Sequence, residues 1–193
     1  MKRENRADCP AAETVGGQIV MTKWAGLQGT VGLAERCRER LLERYPAYFI
    51  EEAKALKRYL SVEREMAAAE EAGVRTICQV SGSGVFGALW ALAARVGIGL
   101  AVDLKAIPIR QETVEICNLL DINPYELPGG GSLLCLTKQG MELAARLRSL
   151  GIASEVIGYA TADRDRVVIN GEERRFLTPC PKKEEDNVRF LTM

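Results

Sequence analysis

The sequence predicts an α+β fold, a mixed β-sheet with packed helices. Three observations carry that expectation. β-Branched runs alternate with amphipathic helical runs, the series closes in a hairpin instead of a further crossover, and one helical run is apolar on most sides, as a helix laid on a sheet must be. The 193 residues, 47% of them hydrophobic, suffice for one well-buried domain.

Residues 1–16 are polar and read as a flexible lead to a single domain over 17–180. The first strand runs from Gln18 to Trp24 and ends in the turn Ala25-Gly26-Leu27-Gln28-Gly29. From Thr30 a helix places Ala34, Cys37 and Leu41 on one face. After Tyr45, Pro46 suits the first turn of a second helix carrying Phe49, Ala53, Leu56 and Leu60. Ser61 is the expected N-cap of a third, with Val62, Met66 and Ala69 inward and Gly73 as its terminal glycine.

Val74 to Val80 is the next strand, and Val85, Leu89, Leu92 and Val96 mark the buried helix after it. Gly97 to Leu104 alternates as a strand, and a helix with Val114, Cys117 and Leu120 follows Pro108. The loop Leu127 to Ser132 leads into the strand Leu133–Leu136, then into a helix with Leu143, Leu147 and Leu150, then into the strand 154–158. Asn170-Gly171 is the strongest hairpin signal, since both residues tolerate positive φ. The tail 181–193, with its run Lys182 to Asp186, reads as frayed.

Lys plus Arg balance Asp plus Glu at 26 each, so no global field draws nucleic acid or an anionic membrane. No apolar run is long enough for a membrane span and no signal-type segment follows Met1, so the expected location is cytoplasmic. The six cysteines form no C-x-x-C pair, and histidine is absent. Neither a disulfide framework nor a metal site is expected, and any chemistry must run on Asp, Glu, Lys, Cys or backbone.

The candidate site lies in three glycine-rich turns. Ser81, Gly82, Ser83 and Gly84 join a strand to a helix, where backbone N–H groups and the helix dipole can receive an anion, although such glycines also serve close packing. Gly129, Gly130, Gly131 and Ser132 form a second turn; Gly26, Gly29 and Thr30 form the third, with Lys23 beside it as a phosphate contact or a solvated lysine. Cys78, at a strand end before a helix, is a nucleophile or a buried thiol; with no histidine to activate it, no catalytic residue is assigned.

The ordered series Ile19 to Thr30, Cys78 to Trp90, Gly97-Ile98-Gly99-Leu100 with Ile107-Pro108-Ile109-Arg110, Gly131 to Leu134, and Gly151-Ile152 with Val156-Ile157-Gly158 resembles the C-terminal domain of the AIR synthase (PurM) superfamily. That superfamily includes HypE, selenophosphate synthetase and thiamine-monophosphate kinase, and the HypE-like branch of hydrogenase maturation is the closest look-alike. The resemblance implies a C-terminal half whose enzymes carry the metal-ATP motif and the dimer barrel in an N-terminal half.

Two departures bear on activity. Where relatives read His-Asp-Val-Thr-Glu-Gly-Gly, this chain has Cys78-Gln79-Val80-Ser81-Gly82-Ser83-Gly84, and the branch's Ser-Ser-Gly-Ser reads Gly129-Gly130-Gly131-Ser132. The implied function is a non-catalytic or partner-dependent binding and assembly module, with ATP and Mg entering only if a partner supplies the ATP-binding half. The alternative is an ATP-dependent HypE-like enzyme, or a split ligase, holding a small phosphorylated substrate between the loops. The implied partner is a second copy or a separate ATP-binding protein, with Trp24, Tyr45, Tyr48 and Phe49 as interface candidates or as core. Cys180 is followed by thirteen residues and lacks a terminal motif, so it is not assigned the role of HypE's C-terminal cysteine.

Overall fold

A computed structural model describes residues 14–180 and 188–190. The lead 1–13 and the tail residues 181–187 and 191–193 lie outside the described residues. One eight-stranded mixed sheet forms the centre, with β1 Gln18–Thr22, β2 Thr76–Gln79, β3 Gly99–Asp103, β4 Leu133–Thr137, β5 Ser154–Thr161, β6 Arg166–Asn170, β7 Glu173–Phe176 and β8 Val188–Phe190. Their order is β7-β6-β3-β5-β1-β4-β2-β8. Every neighbouring pair is antiparallel except β3 with β6.

Strand period two explains why helices cover both faces. Ile19 and Met21 of β1, Cys78 of β2, Leu134 and Leu136 of β4 and Leu100 and Val102 of β3 point to one face, where helix α5 (Gly84–Val96) packs. Val20, Ile77, Leu133 and Cys135 point to the other, against α4 (Glu63–Glu71) and α7 (Gly140–Ser149). The helix expected to be buried nearly all round is α5, with nine of its residues buried. A helical annex at one end, α1 (Leu27–Arg36), α2 (Arg38–Leu42), α3 (Ala47–Ala55) and α6 (Gln111–Leu120), has its own cluster around Leu33, Leu41, Ile50 and Ile116. Among the described residues no helix is long and apolar enough to cross a membrane.

Several boundaries differ from expectation. The helix read from Thr30 starts at Leu27, because Gly26 takes φ +69° and turns the chain three residues earlier, and it breaks at Cys37 into α1 and α2. β1 stops at Thr22 because Lys23 adopts φ +55°. Ser61 is not the cap residue of α4; Val62 is, and the Ser61 hydroxyl accepts the Glu63 N–H at 3.4 Å. Gly73 closes α4 as expected: with φ +73° its N–H bonds Glu70 O while that of Val74 bonds Ala69 O. β5 runs three residues beyond the expected end, where its bulged pairing with β1 and its pairing with β3 extend the ladder. Asn170 pairs with Glu173, so the hairpin turn is Gly171-Glu172, one residue on; Gly171 alone takes positive φ, the pattern of a type II′ turn. The tail is not frayed throughout, since β8 adds to the edge of β2.

Candidate functional site

Sheet topology gathers the three glycine turns. β1 and β2 flank β4 and run antiparallel to it, so the C-terminal ends of β1 and β2 meet the N-terminal end of β4. Each predicted turn lies at one of those ends, and hydrogen bonds lace them together. The Val80 N–H donates to Ser132 O at 3.0 Å, that of Gly129 to Ser81 O at 3.0 Å, and that of Gly29 to Pro128 O at 2.8 Å. Ser132 Oγ donates to Trp24 O at 2.8 Å, joining the β4 end to the β1 end.

The glycines are explained by how closely these segments approach. A Cβ on Gly29 would lie 2.2 Å from Leu127 Cγ, one on Gly129 2.5 Å from Val80 Cγ1, and one on Gly130 2.5 Å from Gln28 Oε1. At Gly131, with φ +105°, it would meet Tyr59 O at 2.8 Å; at Gly84, with φ +66°, Tyr125 O at 2.4 Å. At Gly131 and Gly84 the obstructing atoms are backbone, so a side chain there demands backbone movement, whereas at Gly29, Gly129 and Gly130 neighbouring side chains must give way.

The polar side chains here are engaged by the chain itself. Lys23 is neither a phosphate contact nor a solvated lysine. It is 4% exposed, and its Nζ donates to Tyr59 O at 2.8 Å and Ser61 O at 2.5 Å and pairs with Glu65 at 3.0 Å, which accounts for its three N–H bonds. Burial pulls its pKa below the ordinary value, against the opposing bond and charge of Glu65. Thr30 Oγ1 donates to Gly26 O and lies 2.8 Å from Thr113 Oγ1, which must therefore act as donor in that pair. Near the start of α5, the N–H groups of Gly84, Phe86 and Gly87 bond Ser81 O, Tyr125 O and Ser83 O. Of these, Gly84 belongs to the expected nest of Ser81, Gly82, Ser83 and Gly84, and its N–H is taken; Gly82, on the outer turn, is exposed.

Cys78 is fully buried, its Sγ 3.7 Å from Ala88 O on α5, which is the buried-thiol reading. Burial pushes the Cys117 thiol up to about 11 and that of Cys135 to about 12, so both stay protonated near neutrality. Among the described residues no group of three or more His, Cys, Asp or Glu could hold a metal.

Two members of the junction have no local signal in the sequence. Glu65 is 42 positions from Lys23 and reaches it only through α4 packing. Arg110 lies over the Trp24 ring at 5.1 Å and pairs with Glu112 at 3.0 Å; the one hint was its place in the Ile107–Arg110 run. Of the four interface candidates, Tyr45 and Phe49 stack at 4.5 Å within the annex, Trp24 packs edge-on against Tyr59 at 5.1 Å, and Tyr48 is 68% exposed.

Beside the junction, a cavity of about 390 Å³ opens between the start of α5 and the β6–β7 hairpin, walled by the stacked Phe86 and Tyr125. Its rim carries Glu126 and Glu173 against the single guanidinium of Arg175, a balance that disfavours a phosphoryl group.

Comparison with known proteins gives one family. The family model described as AIR synthase related protein, C-terminal domain, matches residues 14–170. Carbamoyl dehydratase HypE of Rhodobacter capsulatus is 30% identical over 95 residues, an alignment covering 47% of this chain and 28% of that protein. The fold matches E. coli HypE, a hydrogenase maturation protein, with TM-score 0.68 at 17% identity over 89% of this chain and 53% of that one. It also matches a chain of a HypE-HypF complex, with TM-score 0.63 at 14% identity over 86% and 53%. The chain thus spans about half the length of these solved relatives and under a third of the curated one.

Proposed function

Because this chain belongs to the family of AIR synthase related C-terminal domains, we propose that it is a HypE-like binding and assembly module that works with a partner and does not carry out nucleotide chemistry by itself. The observation that carries this reading is the closed junction of the three glycine turns. Lys23, Thr30, Ser132 and the N–H groups of Gly29, Gly84 and Gly129 are bonded to the chain itself. Magnesium-ATP would need oxygen ligands for the metal and unengaged donors for the phosphates. The nearby carboxylates, Glu65 and Glu112, are instead held by Lys23 and Arg110. The residues present at the junction therefore do not fit that group unaided.

The partner in this reading is a separate ATP-binding protein of the hydrogenase-maturation type, acting with a single cytoplasmic domain over residues 17–180. Protein–protein assembly involving a relative of the same fold, the HypE-HypF complex, supports it. Isothermal titration with magnesium-ATP, ADP and AMP tests the reading. The expected result is no binding at the junction tighter than about 0.1 mM, worth roughly 5.5 kcal/mol. Tighter binding that depends on the glycine turns overturns it in favour of an enzyme that holds a phosphorylated substrate between the loops. Light scattering then separates a second copy from a separate protein as the partner.

A further inference from the structure

We infer that the opposite end of the sheet carries an oxyanion-binding site, in a cavity of about 240 Å³ at the start of β1 and β2 and the end of β4. At roughly 30 Å³ of liquid volume per water, a tetrahedral oxyanion fits with room for several waters. The floor includes Thr76, 1% exposed, and Leu136, 5% exposed; Arg75, Lys138 and Gln139 stand exposed at the rim.

Three features point to an anion. Among the described residues no carboxylate lines the cavity, whereas two cations do. Arg75 has no carboxylate partner among the described residues, and Lys138 Nζ donates to a neutral acceptor, Val15 O, so neither charge is paired with a described carboxylate. Independently, Thr76 lines the cavity almost wholly buried while its hydroxyl has no hydrogen-bond partner among the described residues. An oxyanion arriving between Arg75 and Lys138 would offer that hydroxyl a charged acceptor. Thr137 Oγ1 accepts the Gln139 N–H at 3.2 Å and keeps its own hydrogen to donate. Gly17 and Gly73 leave the walls free of side chains, and α7 starts beside the cavity at Gly140. The ligand class is a phosphoryl group, either free inorganic phosphate or a small phosphate ester.

The test is titration of the full chain with inorganic phosphate and, separately, glycerol 3-phosphate, at about 0.15 M salt so that general screening is constant. The expected result is saturable one-to-one binding with Kd of about 10 mM or tighter. Arg75→Gln and Lys138→Gln should each weaken it about fivefold or more, and Thr76→Val should weaken it while keeping side-chain shape. Arg38→Gln, on the distant helix α2, should bind as the unmodified protein does. Arg75 and Lys138 are exposed, so a melting curve matching that of the unmodified chain certifies both variants as folded. Tighter binding of the ester assigns the site to phosphate esters; equal or tighter binding of the free ion assigns it to phosphate itself. Absence of saturation, or undiminished binding in both Arg75→Gln and Lys138→Gln, overturns the inference. Any nucleotide heat that vanishes in Arg75→Gln belongs to this cavity, whereas heat that survives it bears on the glycine junction, so the two readings fail separately.

Discussion

The two ends of the sheet are built on opposite plans. At the glycine end, three chain segments approach within van der Waals distance and their polar groups satisfy one another. At the other end, Arg75, Lys138 and Thr76 surround a cavity with charge and hydrogen-bonding capacity left over. The glycine end looks like a ligand cradle in sequence, because Gly-rich turns before a helix are what an anion nest requires. The same composition serves backbone-to-backbone contact, and the deciding quantity is where the N–H groups point, which local sequence does not record. Rich composition therefore marks the closed end, and an unremarkable scatter of Thr, Arg and Lys marks the open one.

The largest effect that would break this contrast comes from the buried pair at the glycine end. Glu65→Ala leaves the Lys23 ammonium without its counter-charge while both side chains are within a tenth of full burial. The expected loss is about 3 to 5 kcal/mol in urea unfolding; a loss below about 1 kcal/mol would mean that Lys23 turns out to solvent and the junction opens. Gly84→Ala comes next, at about 3 kcal/mol, since the residue would hold a left-handed φ and press its Cβ against Tyr125 O. A neutral outcome in thermal melting would show the α5 start to be pliable.

Ser132→Ala should cost about 1 kcal/mol, by leaving the part-buried Trp24 O without its donor. The smallest effect is acid sensitivity at the rim. Burial would raise the Glu112 pKa, but the Arg110 hydrogen bonds and charge overcome it and hold the carboxyl below its ordinary value. A depressed folded pKa contributes stability that is complete above the unfolded value and fades as pH falls through the folded one. Arg110→Gln should therefore lower stability modestly at neutral pH and flatten its fall below about pH 4.5, so that the variant and the unmodified chain converge in acid. An unaltered acid limb would mean that Glu112 is not held by Arg110 in solution.

Much of the fold was legible in the sequence because it follows from local periodicity. α5 reads as buried from Val85, Leu89, Leu92 and Val96 alone, and the closing glycine of α4 from Gly73. The start of α1 was misplaced because Gly26 and Gly29 look alike in sequence, whereas one supplies a positive φ and the other clears space for Leu127. β8 was missed since a three-residue strand after a charged run has no period to detect; only the edge of β2 gives it a partner. Of the site, the three turns were found and their convergence was not, because that depends on β4 lying antiparallel between β1 and β2. The Lys23–Glu65 pair, split across 42 positions, is a tertiary fact.

The central claim is that the glycine junction is closed before any partner arrives. Backbone amide hydrogen exchange of the ligand-free chain, read at Gly29, Gly84, Gly129 and Ser132, tests it most directly. The account predicts protection approaching that of β1 and β4 at all four amides, since each is bonded within the junction. Exchange at the rate of an open surface loop would contradict it, and would describe a mobile cradle waiting for a ligand.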